Sequence, residues 1–392
     1  MSTLFTNARV ILQERVLENG AVRIADGIIK DVYEGEYTVL PEDEVVDAKG
    51  KYLSPGFIDV HIHGGGGGYF MSGEHEQIDA VCKMHLKHGT TSMTPSLSTS
   101  PKEMLMKAMD GVNEYEKNVS DRPNFLGFHL EGPYLSPNAC GAMAPGYLRN
   151  PDPEDYMDLV EKYPNIVRWA VAPELPGAIE MAQKLCRRGI KMSIGHSDAF
   201  FDDAMKAYEA GMQCVTHFYS LTTTVRRVNA YRYAGTLELA YLMDDMWVEV
   251  IADGRHLPAS LLKLIYKLKG SDRIMLITDS ISAGGWETME GEAFSQTGMP
   301  IIIEDAVAKV PSREAFAGSI ATTDRIVRTM HQLAEVPMKD AVKMASANPA
   351  KHLGIFNKKG SISPGKDADL VLFDDNVNID SVYVMGKKLI QN

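Results

Sequence analysis

Short apolar runs alternate with longer segments of helical periodicity through the middle of the chain. Eight runs have the length of buried strands, at residues 57–61, 90–95, 125–131, 166–173, 190–196, 213–217, 247–253 and 274–279. Helical spacing occurs between most of them, at residues 76–88, 101–116, 177–188, 200–210 and 258–269, and less clearly at 234–244. This alternation predicts an α/β fold, a (β/α)8 TIM barrel. A doubly wound open sheet is the competing topology.

Both ends of the chain have a different pattern. Residues 1–53 contain β-rich runs that are separated by turn pairs such as Asn19-Gly20 and Asp26-Gly27, without helical periodicity. Residues 358–392 contain a turn cluster around Pro364-Gly365, followed by two more β-rich runs. We therefore predict one small sheet domain from residues 1–53 plus 358–392, and a separate barrel domain from residues 54–357.

Composition and charge exclude several classes of protein. The chain has 392 residues, of which 45% are hydrophobic and 23% charged, so it is neither disordered nor fibrous. Its formal net charge of -12 argues against a nucleic-acid-binding or membrane-surface protein. Four widely spaced cysteines without a CxxC pair are expected to be reduced thiols of a cytoplasmic protein. We find no signal-peptide pattern and no apolar run of about 18 residues that would span a membrane.

Imidazole and carboxylate residues recur where the predicted barrel strands end. Two of them stand two apart in the first strand, so their side chains project to the same side. The full set is His61, His63, Glu131, His196, His217 and Asp279. Barrel enzymes carry their functional residues at these strand ends, and this donor set suits zinc or another first-row divalent ion. His129 shares a face with Glu131, but we predict that it lies outside the ligand set.

The same motifs give the chain a resemblance to the amidohydrolase superfamily, and within it to the N-acetylglucosamine-6-phosphate deacetylases. They are PGFIDVHIHG at residues 55–64, HLEGPY at 129–134, GHS at 195–197, TH at 216–217, ADGRH at 252–256, TD at 278–279, AGS at 317–319 and KGSISPGKDADL at 359–370. The resemblance implies a metal-dependent (β/α)8 barrel that carries a small β-sandwich and often forms a homodimer.

The resemblance also implies roles for the six residues. By motif, Glu131, His196 and His217 would hold the main metal ion. Some members of the family lack the His-x-His pair and use one ion. This chain keeps His61 and His63. The resemblance therefore allows a second ion, which would be shared through Glu131 and approached by Asp279. The ions, one or two per subunit, would be zinc or iron.

The resemblance implies hydrolysis of the N-acetyl group of N-acetylglucosamine 6-phosphate, giving glucosamine 6-phosphate and acetate in amino-sugar catabolism. Asp279 would take a proton from water as general base and pass it to the departing amine. His256, in the loop after the seventh strand, resembles the substrate-contacting histidine of the family and would stabilise the developing oxyanion.

Two substrate-contacting motifs depart from the family pattern. An Asn-Ala pair usually follows the Thr-His motif, whereas this chain has Ser220-Leu221. A Gly-Ala-His triplet usually follows the third strand, whereas this chain has methionine after Gly-Ala, at Ala142-Met143. A thioether cannot donate a hydrogen bond to a sugar hydroxyl. The resemblance implies that these residues line the substrate site. Because they depart from the family pattern, the identity of the sugar stays open.

A phosphate would need a basic partner, which in the family often comes from a neighbouring subunit. Arg226 or Arg227 is the expected partner and Arg232 a weaker candidate, because the arginine fork suits phosphate. One alternative function is a related amidohydrolase that acts on another N-acyl amino sugar or on a cyclic amide. A more remote alternative is a catalytically silent assembly protein on the same scaffold. Retention of all six metal-site residues argues against the silent protein.

Overall fold

The structure is a computed structural model that describes residues 2–294 and 299–392. Strands from both chain ends form one mixed sheet of eight strands. They are β1(Ser2–Ile11), β2(Val16–Ala25), β3(Ile28–Tyr33), β4(Asp43–Asp47), β5(Tyr52–Pro55), β22(Leu370–Phe373), β23(Ile379–Val384) and β24(Lys387–Gln391). β22 joins the two ends by pairing antiparallel with β5. The predicted small β unit built from both termini is therefore confirmed, and its limits at residues 53 and 358 stay a prediction.

The middle of the chain forms a nearly closed parallel barrel. Its eight strands are β6(Phe57–Ile62), β9(Thr90–Ser98), β11(Phe128–Glu131), β12(Ile166–Val171), β13(Lys191–Ile194), β14(Cys214–Val215), β17(Trp247–Val250) and β18(Ile274–Leu276). Hydrogen-bonded pairing runs without a gap from β6 to β18. The first and last strands meet where the Asp279 N–H donates to the His61 carbonyl, 2.9 Å away. The barrel prediction is confirmed, and the open doubly wound sheet is excluded.

Ten α-helices connect or cover the strands of the part of the chain that the structure describes. They are α1(His75–Lys87), α2(Lys102–Asn118), α3(Pro153–Lys162), α4(Ala178–Cys186), α5(Phe201–Glu209), α6(Thr236–Leu242), α7(Ala259–Lys269), α8(Thr323–Gln332), α9(Met338–Met344) and α10(Ala347–Leu353). Every predicted helix is present within a few residues, including the weakly patterned α6. The predicted alternation does not include α3, which begins at an Asp152 cap with Pro153 in its first turn. Helices α8 to α10 also lie outside it. None of the helices described is long and apolar enough to cross a membrane.

Short β-elements extend the loops after three barrel strands. They are β7(Gly64–Gly65), β8(Gly68–Tyr69), β15(Arg226–Val228), β16(Tyr231–Tyr233), β19(Gly291–Phe294), β20(Pro300–Glu304) and β21(Val307–Lys309). One further strand, β10(Asn124–Phe125), pairs with β9 just before β11. The sequence predicts a single strand over residues 125–131. The structure divides it because Gly127 has φ of 106°, in the left-handed region that favours glycine.

The hydrophobic core lies mainly between the barrel and its helices. Large fully buried side chains such as Phe57, Phe128, Tyr156 and Trp169 fill this layer. Burying one such apolar side chain stabilises the fold by roughly 1.5–3 kcal/mol. The interior of the barrel is different, because it contains buried polar and charged groups, among them Arg168 and Glu249. Polar groups in that position are costly unless they are paired, and they lie directly beneath the strand ends that carry the site.

Candidate active site

The six predicted residues at the strand ends come together in two adjoining clusters. Potential ligand atoms of His61, His63, Glu131 and Asp279 all lie within 4.8 Å of one another, as do those of Glu131, His196 and His217. All six residues are buried. Glu131 belongs to both clusters, so its two carboxylate oxygens can serve two centres. The arrangement has the donor types and the convergence of a two-ion metal site.

The distances place Glu131 at the centre of the site. Its Oε1 atom lies 3.1 Å from His196 Nε2 and 3.0 Å from His217 Nε2. Its Oε2 atom lies 3.1 Å from His63 Nε2. Asp279 Oδ1 faces the other side of the first cluster, 3.3 Å from His63 Nε2 and 3.4 Å from His61 Nε2. Every imidazole therefore turns its Nε2 atom toward a carboxylate oxygen.

The Nδ1 atom of each imidazole, on the side of the ring away from the clusters, has a hydrogen-bond partner. These contacts are His61 to Glu249 Oε2 at 3.0 Å, His63 to Ser98 Oγ at 3.1 Å, His196 to the Ala139 carbonyl at 2.9 Å and His217 to the Ser220 carbonyl at 3.0 Å. Acceptors at Nδ1 select the tautomer whose Nε2 lone pair faces the centre, which is how metal-binding histidines are oriented. His61 Nε2 and His63 Nε2 approach each other to 3.2 Å. A cation between such lone pairs fits this donor set.

Backbone conformation helps to aim three of these side chains. His196, His217 and Asp279 have φ values of 47°, 26° and 48°, in the left-handed region that non-glycine residues rarely adopt. This conformation ends β13, β14 and β18 earlier than the sequence predicts. Strained backbone of this kind costs on the order of 1–3 kcal/mol and is concentrated at functional sites. Here the three residues with this conformation are members of the two clusters.

Charged residues beneath the clusters were not among the predicted site residues. Burial tends to raise the pKa of Glu249, but the charge of Arg168 and the contact with His61 outweigh it and hold that pKa well below its usual range. Burial raises the pKa of Asp59 to about 6, against the effect of its hydrogen bonds from Thr278 and His61. Burial, with the charges of His61 and Arg168, lowers the pKa of His129 well below its usual range. The available sequence signal was a charged residue inside an apolar barrel strand, as in WVEV and IVRWAV.

A cavity of about 290 Å³ opens onto both clusters. Its lining residues are His63, Ser98, Glu131, Ala142, Met143, His196, His217, Tyr219, Ser220, Leu221, His256, Asp279, Ile281, Ala315, Phe316, Ala317 and Gly318. The structure thus places the predicted substrate residues Ala142, Met143, Ser220, Leu221 and His256 at one cavity with the metal-site residues. Tyr219, Ile281 and the segment 315–318 line it without having been predicted as substrate residues.

His256 is fixed at the edge of this cavity. Its Nδ1 atom lies 2.8 Å from Asp253 Oδ2, and its backbone N–H donates to Asp253 Oδ1 at 2.8 Å. The Phe316 ring packs against the imidazole with a centroid distance of 4.5 Å. Burial tends to raise the pKa of Asp253, but His256 and backbone N–H groups outweigh it and lower that pKa. With Nδ1 occupied, His256 keeps its Nε2 atom for a ligand in the cavity.

The predicted phosphate partner does not line the cavity within this subunit. Arg227 lies on β15, in an exposed hairpin with β16, and its register partner is Arg232. Arg226 is committed to an ion pair with Asp198 at 2.5 Å. Among the described residues that line the cavity, none is arginine or lysine. A phosphate group would therefore need a cation from beyond this lining.

The parallel barrel with buried His, Glu and Asp clusters at its strand ends has the architecture of a barrel enzyme with a site for divalent metal ions. The amidohydrolase family matches residues 52–389. An N-acetylglucosamine-6-phosphate deacetylase from Lysinibacillus sphaericus is 32% identical over 351 residues, which cover 88% of this chain and 87% of the relative. An N-acetylgalactosamine-6-phosphate deacetylase from Escherichia coli O157:H7 is 28% identical over 388 residues, which cover 99% of each chain.

A solved structure extends the similarity to the whole fold. It is a mutant of the N-acetyl-D-glucosamine-6-phosphate deacetylase from Mycobacterium smegmatis in complex with N-acetyl-D-glucosamine-6-phosphate. It covers 100% of both chains with a TM-score of 0.90 and 27% sequence identity. This chain belongs to the amidohydrolase family and, within it, to the group that contains the N-acetylglucosamine-6-phosphate deacetylases. The predicted resemblance is confirmed, and the chain is an enzyme of the amidohydrolase type.

Proposed function

We propose that this enzyme hydrolyses the N-acetyl group of N-acetylglucosamine 6-phosphate, giving glucosamine 6-phosphate and acetate in amino-sugar catabolism. The observation that carries the proposal is the double cluster around Glu131, opening onto a cavity edged by His256. The deacetylase relatives and the sugar-phosphate complex of the Mycobacterium smegmatis enzyme support it. A catalytically silent protein would have no reason to keep all six residues in contact. A homodimer and a cytoplasmic location stay predictions.

The donor set indicates which residues would hold a metal ion. Glu131, His196 and His217 would hold the main ion, and His61 and His63, sharing Glu131, would hold a second ion that Asp279 approaches. Zinc and iron both suit these donors. When bound, such an ion acidifies water and polarises a carbonyl group, which are the two requirements for attack on an unactivated amide.

The protein's own groups would move the proton and stabilise charge. Asp279 accepts the proton of the attacking water as the new carbon–oxygen bond forms at the acetyl carbon. It then returns that proton to the sugar nitrogen as the carbon–nitrogen bond breaks, so that a free amine and acetic acid leave, and the acid ionises to acetate in water. His256, held through Nδ1 by Asp253, directs Nε2 at the carbonyl oxygen, on which negative charge develops.

N-acetylgalactosamine 6-phosphate is the second candidate substrate. The Escherichia coli enzyme of that name matches this chain over 99% of its length. Met143, Ser220 and Leu221, which depart from the usual glucosamine motifs, line the cavity. At these positions a thioether stands in place of the family's imidazole, a hydroxyl in place of its carboxamide, and a larger alkyl group in place of its methyl group.

The purified, metal-analysed enzyme should be assayed for acetate release from the 6-phosphates of N-acetylglucosamine, N-acetylgalactosamine and N-acetylmannosamine, and from unphosphorylated N-acetylglucosamine. We expect kcat/KM to be highest for N-acetylglucosamine 6-phosphate, by about tenfold or more, because one misplaced hydroxyl contact costs roughly 1–3 kcal/mol. A preference for the galactosamine phosphate would select the second candidate. No turnover of any phosphate by metal-loaded protein would reject both and favour another N-acyl compound or a cyclic amide.

Arg227→Ala is expected to raise KM for the phosphorylated sugar about tenfold or more while changing kcat little. A charge-assisted hydrogen bond to phosphate contributes roughly 1.5–3 kcal/mol, and it contributes equally before and during the reaction. Arg227 does not line the cavity of its own subunit, so it would reach the phosphate in the neighbouring subunit of the predicted homodimer. Among the described residues, Arg227 has no ion-pair partner, whereas Arg226 is bound to Asp198. Steady-state kinetics with the phosphorylated and unphosphorylated sugars measure the effect.

Arg187→Ala is the matched control, because Arg187 is an exposed arginine at the C-terminal end of α4. It should leave both kinetic constants unchanged. If Arg227→Ala behaves like this control with the phosphorylated sugar, Arg227 does not bind the phosphate. If it weakens the unphosphorylated sugar equally, its role is not phosphate recognition.

A further inference from the structure

Glu249 lies beneath the double cluster, fully buried in β17. Its Oε2 atom accepts from His61 Nδ1 at 3.0 Å and, at a longer 3.4 Å, from the His217 backbone N–H. Its own carbonyl accepts from the Phe218 N–H at 2.7 Å. Glu249 thus forms hydrogen bonds with residues at strand ends that belong to both clusters. The shortest hydrogen bond of its side chain among these is to His61.

Arg168 supplies the charge that this buried carboxylate needs. Its guanidinium is fully buried in β12 and donates to Glu249 Oε1 and to the carbonyl of Val60, the residue before His61. Burying an ion pair rarely adds net stability over apolar residues of the same size. A fold that only needed a filled barrel would gain as much from a pair of apolar side chains. Stability alone therefore does not account for the ion pair of Arg168 and Glu249.

His61 differs from the other three imidazoles of the site in what holds it. His196 and His217 rest on backbone carbonyls, and His63 rests on Ser98 Oγ and the Ser96 carbonyl. Only His61, among these four, donates Nδ1–H to a carboxylate. A carboxylate behind a metal-binding histidine fixes its orientation and makes it a stronger donor, and loss of such a partner typically weakens metal binding about 10- to 100-fold.

We propose that Glu249, with its charge balanced by Arg168, is a positioning residue that prepares His61 for the second metal ion. Occupancy of the cluster of His61, His63 and Asp279 then depends on Glu249, whereas the ion at Glu131, His196 and His217 does not. The inference rests on the two-ion site in the proposed function and is independent of which sugar is the substrate. Failure of the substrate assay would therefore leave it standing.

The test is Glu249→Gln, which keeps the size of the side chain but offers one acceptor oxygen in place of two. The intact enzyme and the variant are titrated with zinc against a competing chelator, and bound metal is counted by elemental analysis. We expect the affinity of the weaker ion to fall about 10- to 100-fold, while that of the tighter ion stays within about threefold. Cys214→Ser is the matched control, because Cys214 Sγ approaches the same carboxylate at 3.9 Å without touching His61.

A second variant guards against a simple failure to fold. Arg168→Met combined with Glu249→Met removes both charges together, which buried pairs tolerate better than the loss of one partner. This double variant should unfold cooperatively near the wild-type temperature and still lose the weaker ion. The proposal is overturned if a folded variant binds both ions with wild-type affinity, or if both affinities fall together. It is also overturned if the wild-type protein never takes up more than one ion.

Discussion

Replacing Asp279 by asparagine is expected to lower kcat for acetate release by about 10²- to 10⁴-fold while leaving the metal content unchanged. The carboxylate lies at the end of β18, with Oδ1 3.3 Å from His63 Nε2 and 3.4 Å from His61 Nε2. Asparagine has the same shape and keeps a carbonyl oxygen toward the site. It cannot accept the proton of the attacking water or return it to the amine. The loss should therefore appear in kcat, with KM little affected.

Asp202→Asn is the control, because it makes the same chemical change at an exposed position on α5. Single-turnover kinetics and elemental analysis on the same preparations separate chemistry from metal loss. An Asp279→Asn enzyme that turns over at the wild-type rate would remove Asp279 from the proton-transfer role. A variant that is inactive because it has lost metal would instead make Asp279 primarily a ligand.

The metal site could be predicted from the sequence because it follows two local rules. His61 and His63 are two apart at the predicted end of the first strand, and positions two apart in a strand share a side. The other four residues each end a predicted strand, and parallel barrel strands all present that end at one face. Neither rule needs knowledge of distant contacts. The motif resemblance then assigned the residues to two ions with Glu131 between them, and the observed clusters have this grouping.

The parts that the sequence did not predict depend on contacts between distant segments. Glu249 is 188 positions from His61, and Arg168 is 108 positions from Val60. Each is one charged residue in an apolar strand, and no local pattern says which partner neutralises it. Phe316 reaches His256 from a segment beyond β21, after a loop whose path no periodicity encodes. The predicted strands likewise extend too far, to His196 and His217. The left-handed backbone of these two residues is fixed by the site and not by propensity.

The wall of the cavity carries fewer local sequence signals than the two clusters. The cavity wall combines Met143, Leu221 and Phe316 with a few polar groups, and its described lining supplies no cation. The two clusters would serve amide hydrolysis whichever N-acyl substrate binds, whereas the cavity wall would select among substrates. The residues that depart from the family pattern, Met143, Ser220 and Leu221, lie in this wall, and none lies in the two clusters.

Glu131→Gln is expected to remove both ions and to lower kcat/KM by about 10³-fold or more. Oε1 of Glu131 faces His196 and His217, and Oε2 faces His63, so one carboxylate serves both clusters. Glutamine replaces one of these oxygens by an NH2 group, which carries two donors and no lone pair for a metal. The negative charge that offsets the ions is also lost. Loss of several kcal/mol of charge stabilisation in the transition state corresponds to a rate effect of at least this size.

Two histidine variants make this prediction specific, because each belongs to one cluster only. His63→Ala should reduce the metal content by the second ion, which His61 also holds, and His196→Ala should reduce it by the main ion, which His217 also holds. Elemental analysis after dialysis at a fixed free zinc concentration distinguishes the three variants. If Glu131→Gln loses only one ion, then Glu131 is not the bridge, and the two clusters bind metal independently. If it keeps both, the carboxylate orients the imidazoles without holding an ion, because its four histidine neighbours would then suffice.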